Sequence, residues 1–116
     1  MDLSELDAYL GDFADQLDHN TKSDLLEASD AIEDRYPDDD PANADAFTGA
    51  VACAFGDETL DTLADKWKAA RAAEREAMAQ LTGAIIWTDI HDRLSQVAIS
   101  ERAGINRQTI RKALGL

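Results

Sequence analysis

The 116-residue chain has the size of one ordinary domain, or of a small module with an accessory segment, and its 45% apolar content suffices for a core. No apolar run approaches the roughly 18 residues of a membrane span, no basic-then-apolar leader opens the chain, and Cys53 stands alone, which together read as a cytosolic protein without a disulfide framework. The net charge of −13 excludes a uniformly basic nucleic-acid binder, but residues 1–65 carry 19 acids against Lys22 and Arg35, a net of −17, whereas residues 66–116 carry nine cations against five acids, a net of +4.

Leu3, Leu6, Tyr9, Leu10, Phe13 and Leu17 recur at helical steps and predict an amphipathic helix from Ser4 to Leu17, with Ser4 as N-cap and Glu5 and Asp7 in the first turn. His19-Asn20-Thr21 reads as a break. Leu25, Leu26, Ala28, Ile32 and Tyr36 predict a second helix ending at Pro37, because the residue before proline resists the α region. Asp34, Asp38, Asp39, Asp40 and Asp45 lack the glycine and distal Glu spacing of a calcium loop, so this stretch reads as a solvated loop and a candidate partner surface.

A third helix is expected from an Asn43 cap through Ala44, Phe47, Val51 and Phe55 to Gly56, with Cys53 packed as a small hydrophobe. Asp57 is then expected to cap a long helix carrying Leu60, Leu63, Ala64, Trp67, Ala70, Ala77, Met78, Leu81, Ile85 and Ile90, with Trp67 on its core face. Gly83 is its weak point. A break there would make Ala84–Leu94 a separate helix packed through Ile85, Ile86, Ile90 and Leu94, while continuity would give a rigid arm or dimer seam.

The last stretch, Ser95 to Leu116, predicts a helix-turn-helix: one helix over Gln96–Ala103, a turn at Gly104, and a second helix from Asn106 to Leu114 with Asn106 as its cap. Ile99, Ile105 and Ile110 supply the packed faces, and Ser100 is small where helix meets helix. Ala103-Gly104-Ile105 and Gln108-Thr109-Ile110 resemble the DNA-binding headpiece of the lac-repressor family, with Ser100 where that family usually has Ala. The resemblance covers the motif alone; it implies DNA binding and not the family's inducer chemistry. Together with the run Ala69-Ala70-Arg71-Ala72-Ala73-Glu74-Arg75-Glu76, the motif also resembles small helix-turn-helix proteins of actinobacteria and their phages.

On a helix whose N-terminal end enters the major groove, Arg107, Gln108 and Arg111 are the expected base readers, since Arg matches a guanine edge and Gln an adenine edge. Asn106, Thr109 and Lys112, with Ser95 and Gln96 at the start of the preceding helix, are the expected phosphate contacts. No residues form a catalytic or metal constellation: His19 and His91 lack partner ligands, the serines lack a glycine-flanked elbow, and neither an enzyme nor a cofactor is expected.

The sequence thus predicts an all-α protein with an acidic helical accessory region (1–56), a long connecting helix and dimer seam (57–82), and a C-terminal helix-turn-helix domain (83–116). Its expected function is sequence-specific binding of double-stranded DNA as a homodimeric transcription regulator of bacterial or phage type. The competing reading is an acidic protein-interaction module, with a basic protein partner, or a DNA mimic, in which the helix-turn-helix serves as scaffold.

Overall fold

The computed structural model describes all residues, Met1–Leu116, and is all-α: six α-helices, one 3-10 helix and no strand. Asp2, rather than the expected Ser4, caps the first helix by accepting the Glu5 amide at 2.8 Å. That helix, α1 (Leu3–Leu10), stops well short of Leu17, and Gly11–Gln16 continue as a 3-10 helix. Gly11 has φ +60° and ψ −131°, a combination open to glycine and strained for other residues, so the α-helix ends there although the apolar spacing continues. The break falls at Leu17–Asp18, earlier than expected. Asp18 accepts the Thr21 amide at 2.7 Å, which starts α2 (His19–Arg35) and holds the Asp18 carboxyl below the usual carboxylate range.

The second helix ends as anticipated before Pro37, with Tyr36 extended at φ −125° and ψ 127°. In α3 (Pro41–Ala54) the cap is Asp40, which accepts the Ala42 amide at 2.9 Å, and not Asn43. Pro41 explains the earlier start: its ring presets the helical φ, and it brings no amide hydrogen needing a partner at the first helical position. Asn43 instead donates its side-chain amide to the Tyr36 carbonyl at 3.0 Å, tying α3 back to the end of α2. Asp57 does not cap the long helix either. Its amide donates to the Ala52 carbonyl at 3.0 Å in the turn that closes α3.

Thr59 and Thr62 start α4 (Leu60–His91) reciprocally: the Thr62 amide donates to the Thr59 hydroxyl oxygen at 3.1 Å, and the Thr59 amide donates to the Thr62 hydroxyl oxygen at 2.8 Å. Glu58 accepts from the Lys66 ammonium and from the Thr62 hydroxyl, and these bonds, the lysine's foremost, hold its carboxyl below the ordinary range. Gly83 does not break α4, so Ala84–Leu94 is not a separate helix. A lone glycine costs about 1 kcal/mol in a helix interior, and Leu81 and Ile85 are packed on either side of it. The helix ends where Arg93 takes a left-handed φ of 57°, uncommon for a residue with a β-carbon. After that turn come α5 (Gln96–Ala103), at the boundaries the sequence predicts, and α6 (Arg107–Ala113), which is one residue shorter at each end than expected because Asn106 and Leu114 are its caps.

The chain divides into two compact units, Met1–Lys66 and Trp67–Leu116. In the first, Leu6, Leu10, Ala14, Leu17, Leu25 and Phe47 are buried, with Leu26, Ile32, Ala50, Val51, Ala54 and Phe55 packed against them. Lys22 of α2 pairs with Asp7 of α1 at 2.9 Å. Tyr9 and Phe13 share the apolar spacing but remain 55% and 60% exposed. Cys53 is exposed too, contrary to expectation, because Phe47, Ala50, Val51 and Ala54 define the packed face of α3 and Cys53 lies off it.

In the second unit, Ile85, Ile99 and Ile110 form the buried centre, surrounded by Leu81, Leu94, Ile105, Ala113 and Leu114. Trp67, expected on a core face, is 59% exposed, with the Arg71 guanidinium 4.9 Å from its ring centroid. Ile86 and Ile90 do not join the core: they are 39% and 58% exposed, and Trp87 beside them is 62% exposed. Residues 67–80 of α4 are exposed throughout.

Candidate nucleic-acid interface

Local chemistry fixes the geometry of α5 and α6 at each end. Ser95 caps α5 by accepting the Ala98 amide at 3.1 Å. Gly104 stands in the left-handed region at φ 69° and ψ 30°, and both its amide and that of Ile105 donate to the Ser100 carbonyl, at 3.0 and 3.2 Å. The Ser100 hydroxyl donates to the Ile105 carbonyl, closing the turn from the other side. Asn106 caps α6, its side-chain oxygen accepting the Thr109 amide at 2.9 Å and the Thr109 hydroxyl at 3.0 Å. The two helices are then held together through Ile99, 3% exposed, and Ile110, 0% exposed.

Burial of Ile110 determines which way the rest of α6 points. Gln108 and Lys112, two residues to either side of it, fall on the opposite face and are exposed. Arg107 and Arg111 lie one turn apart on the flank facing the start of α5. There the Gln96 side-chain oxygen accepts from Arg107 Nε and from Arg111 Nη1, each at 3.4 Å, long contacts that align the three side chains without holding them tightly. The structure therefore brings Gln96, Arg107 and Arg111 together on one side and Gln108 and Lys112 on another. Ser95 and Asn106 sit at the N-terminal ends of the two helices.

The caps leave particular donors available. The Ser95 oxygen accepts within the cap, so its hydroxyl hydrogen can still donate outward; Asn106 keeps its side-chain NH₂ and Gln96 its own. Thr109 differs, because its hydroxyl already donates to Asn106. Residues 95–116 carry Arg102, Arg107, Arg111 and Lys112 against Glu101 alone. Arg102 lies 3.9 Å from Asp92, whose other oxygen contacts His91 Nδ1 at 2.8 Å, so the positive charge is least opposed along α6.

Two contributors escape reasoning from the sequence. Ser100 reads as a small residue at a crossing, whereas its hydroxyl secures the turn. Gln96 reads as a phosphate contact, whereas its oxygen also orients two arginines of the neighbouring helix. The Ser-to-Ala difference from the lac-repressor pattern is the one visible signal for the first; nothing in the spacing signals the second. No family model, curated protein or solved structure matches the chain.

Proposed function

We propose that the protein binds double-stranded DNA in a sequence-dependent manner, with α6 presented to the major groove, as a small transcription regulator of the helix-turn-helix kind. The observation that carries this reading is the outward face of α6. Gln108 and Lys112 project directly away from the packed Ile110, and Arg107 and Arg111 flank them beside Gln96. Gln108 and the two arginines have the donor and acceptor patterns for adenine and guanine edges. Lys112, Ser95, Asn106 and Gln96 supply a charge and free donors for phosphates. The contact of Arg107 and Arg111 with a neutral amide oxygen supports the assignment, because it orients guanidinium groups without neutralising them.

The protein acts as a homodimer in this reading. Three buried isoleucines, each worth roughly 1.5–3 kcal/mol on burial, are little to set against the ordering entropy of the second unit. Ile86, Trp87 and Ile90 meanwhile form an exposed apolar face on α4, suited to a second copy of the same helix. Two motifs would then engage half-sites about one turn of DNA apart.

Selection of preferred sites from random duplexes tests the assignment of bases. Arg107→Ala and Gln108→Ala should each weaken binding to the selected site by about 1–3 kcal/mol and relax preference at one position of each half-site. Uniform weakening on all sequences would move the altered residue to the phosphate contacts, and an unchanged profile would remove it from the interface.

A further inference from the structure

The first unit carries a second surface, made of residues that the DNA reading does not use. Tyr9 and Phe13 stand one helical turn apart along α1 and the following 3-10 helix, and Val51 and Phe55 stand one turn apart at the end of α3. Between these two walls runs an open groove with Leu10 in its lining and Gln16 and Asp57 as its polar members. Phe13 meets the half-buried Phe55 edge to face at 6.4 Å, and Tyr9 meets the buried Phe47 in the same manner at 5.3 Å, so each exposed ring is propped on an aromatic neighbour.

The charge around this groove is of one sign. Residues 1–66 hold 19 acids and three cations, and every one of those cations has an internal partner: Lys22 with Asp7, Lys66 with Glu58, and Arg35 with the hydroxyl and ring of Tyr36. Glu5 lies one turn before Tyr9, Asp12 lies next to Phe13, and both are exposed, while Asp57 lines the groove itself. An anionic membrane or a nucleic acid would be repelled here. An apolar segment flanked by lysine or arginine would find both its apolar side chains and its charges matched.

We infer that the groove between Tyr9–Phe13 and Val51–Phe55 docks a basic amphipathic helix from a partner protein. Walls built of side chains one turn apart suit the ridges of a third helix, with leucine-like residues three and four apart lying along the groove beside the packed Phe13 and Phe55 rings, over Leu10 and Val51, and basic residues meeting Glu5, Asp12 and Asp57. The inference names a surface and a partner chemistry beyond the DNA reading and does not depend on it, since all its residues lie in the first unit.

The test uses the full chain and a fluorescent synthetic peptide of leucine, lysine and alanine, about five helical turns long, with its leucines on one face. A peptide of the same composition with leucines spread around the helix is the comparison. Saturable binding of the patterned peptide is expected, with at least about tenfold loss for the scrambled one and a similar loss for Phe13→Ala. Asp57→Lys, which leaves the buried core intact, should also weaken the patterned peptide and flatten its salt dependence. Equal binding of both peptides would reduce the interaction to bulk charge and overturn the proposal, as would indifference to both substitutions or no binding at low salt. Sedimentation equilibrium covers the remaining occupant: self-association of the native chain that Phe13→Ala abolishes would assign the groove to a second copy and also overturn it.

Discussion

Ser100 shows how much a single hydroxyl can add to a turn. It occupies a place where the fold asks for small size, and alanine would satisfy that requirement. The hydroxyl goes further by donating to the Ile105 carbonyl, while the Ser100 carbonyl accepts from Gly104 and Ile105. Ser100→Ala should therefore cost about 1 kcal/mol, the net worth of one such bond together with a part-buried carbonyl left short of a partner. Thermal unfolding checks this: a midpoint lowered by several degrees is expected, and an unchanged midpoint would show that water replaces the bond. The size requirement was legible in the sequence. The bond was not, because its acceptor lies five residues away on the far side of a reversal. Caps divide in the same way: the Asn106 cap was legible because it follows the turn directly, whereas Ser95 read only as a phosphate contact, and Asn43 has capping chemistry but is pre-empted by the Asp40-Pro41 pair.

At the scale of elements, apolar periodicity located α1 to α4, and the glycine turn and cap located α5 and α6, but the apolar pattern did not specify how each helix ends. The step from Leu10 to Phe13 and Ala14 and then to Leu17 suits an α-helix and a 3-10 helix alike, so the change at Gly11 left no trace in the pattern. Continuity of α4 turned on energetics rather than pattern. One glycine costs about 1 kcal/mol, less than the packing of Leu81 and Ile85 on either side provides. Gly83 is exposed, and a β-carbon there would meet no atom within 4 Å. Gly83→Ala should then stabilise the protein by about 1 kcal/mol, seen as a higher denaturation midpoint at unchanged slope. Loss of stability would show that the position needs glycine for an approach that this single chain does not contain. At Gly104, by contrast, a left-handed φ makes the same substitution unfavourable.

Across the whole molecule, the division of charge was plain from the sequence, as was the all-α class. Which apolar residues would stay outside was not plain. Trp67, Ile86, Ile90, Tyr9 and Phe13 all fit helical spacing, and all are exposed, as is Trp87. Periodicity identifies a face that could be buried, but the number of neighbouring elements decides whether it is. Those exposed faces are the reason for assigning a second copy to α4 and a basic helix to the groove of the first unit. The positive charge of α6 is a separate matter: Arg107, Arg111 and Lys112 are carried on its flank and outward face with no carboxylate on the same helix.

The most direct measurement is equilibrium binding of the full-length protein to a labelled random-sequence duplex across about 50–300 mM salt, read by fluorescence anisotropy. If paired motifs each neutralise one or two phosphates, log affinity should fall linearly with log salt at a slope of about −2 to −4. Lys112→Ala should make that slope shallower. Absence of binding at the lowest salt, or binding indifferent to salt, would contradict DNA recognition by α6 and leave the helix pair as scaffold.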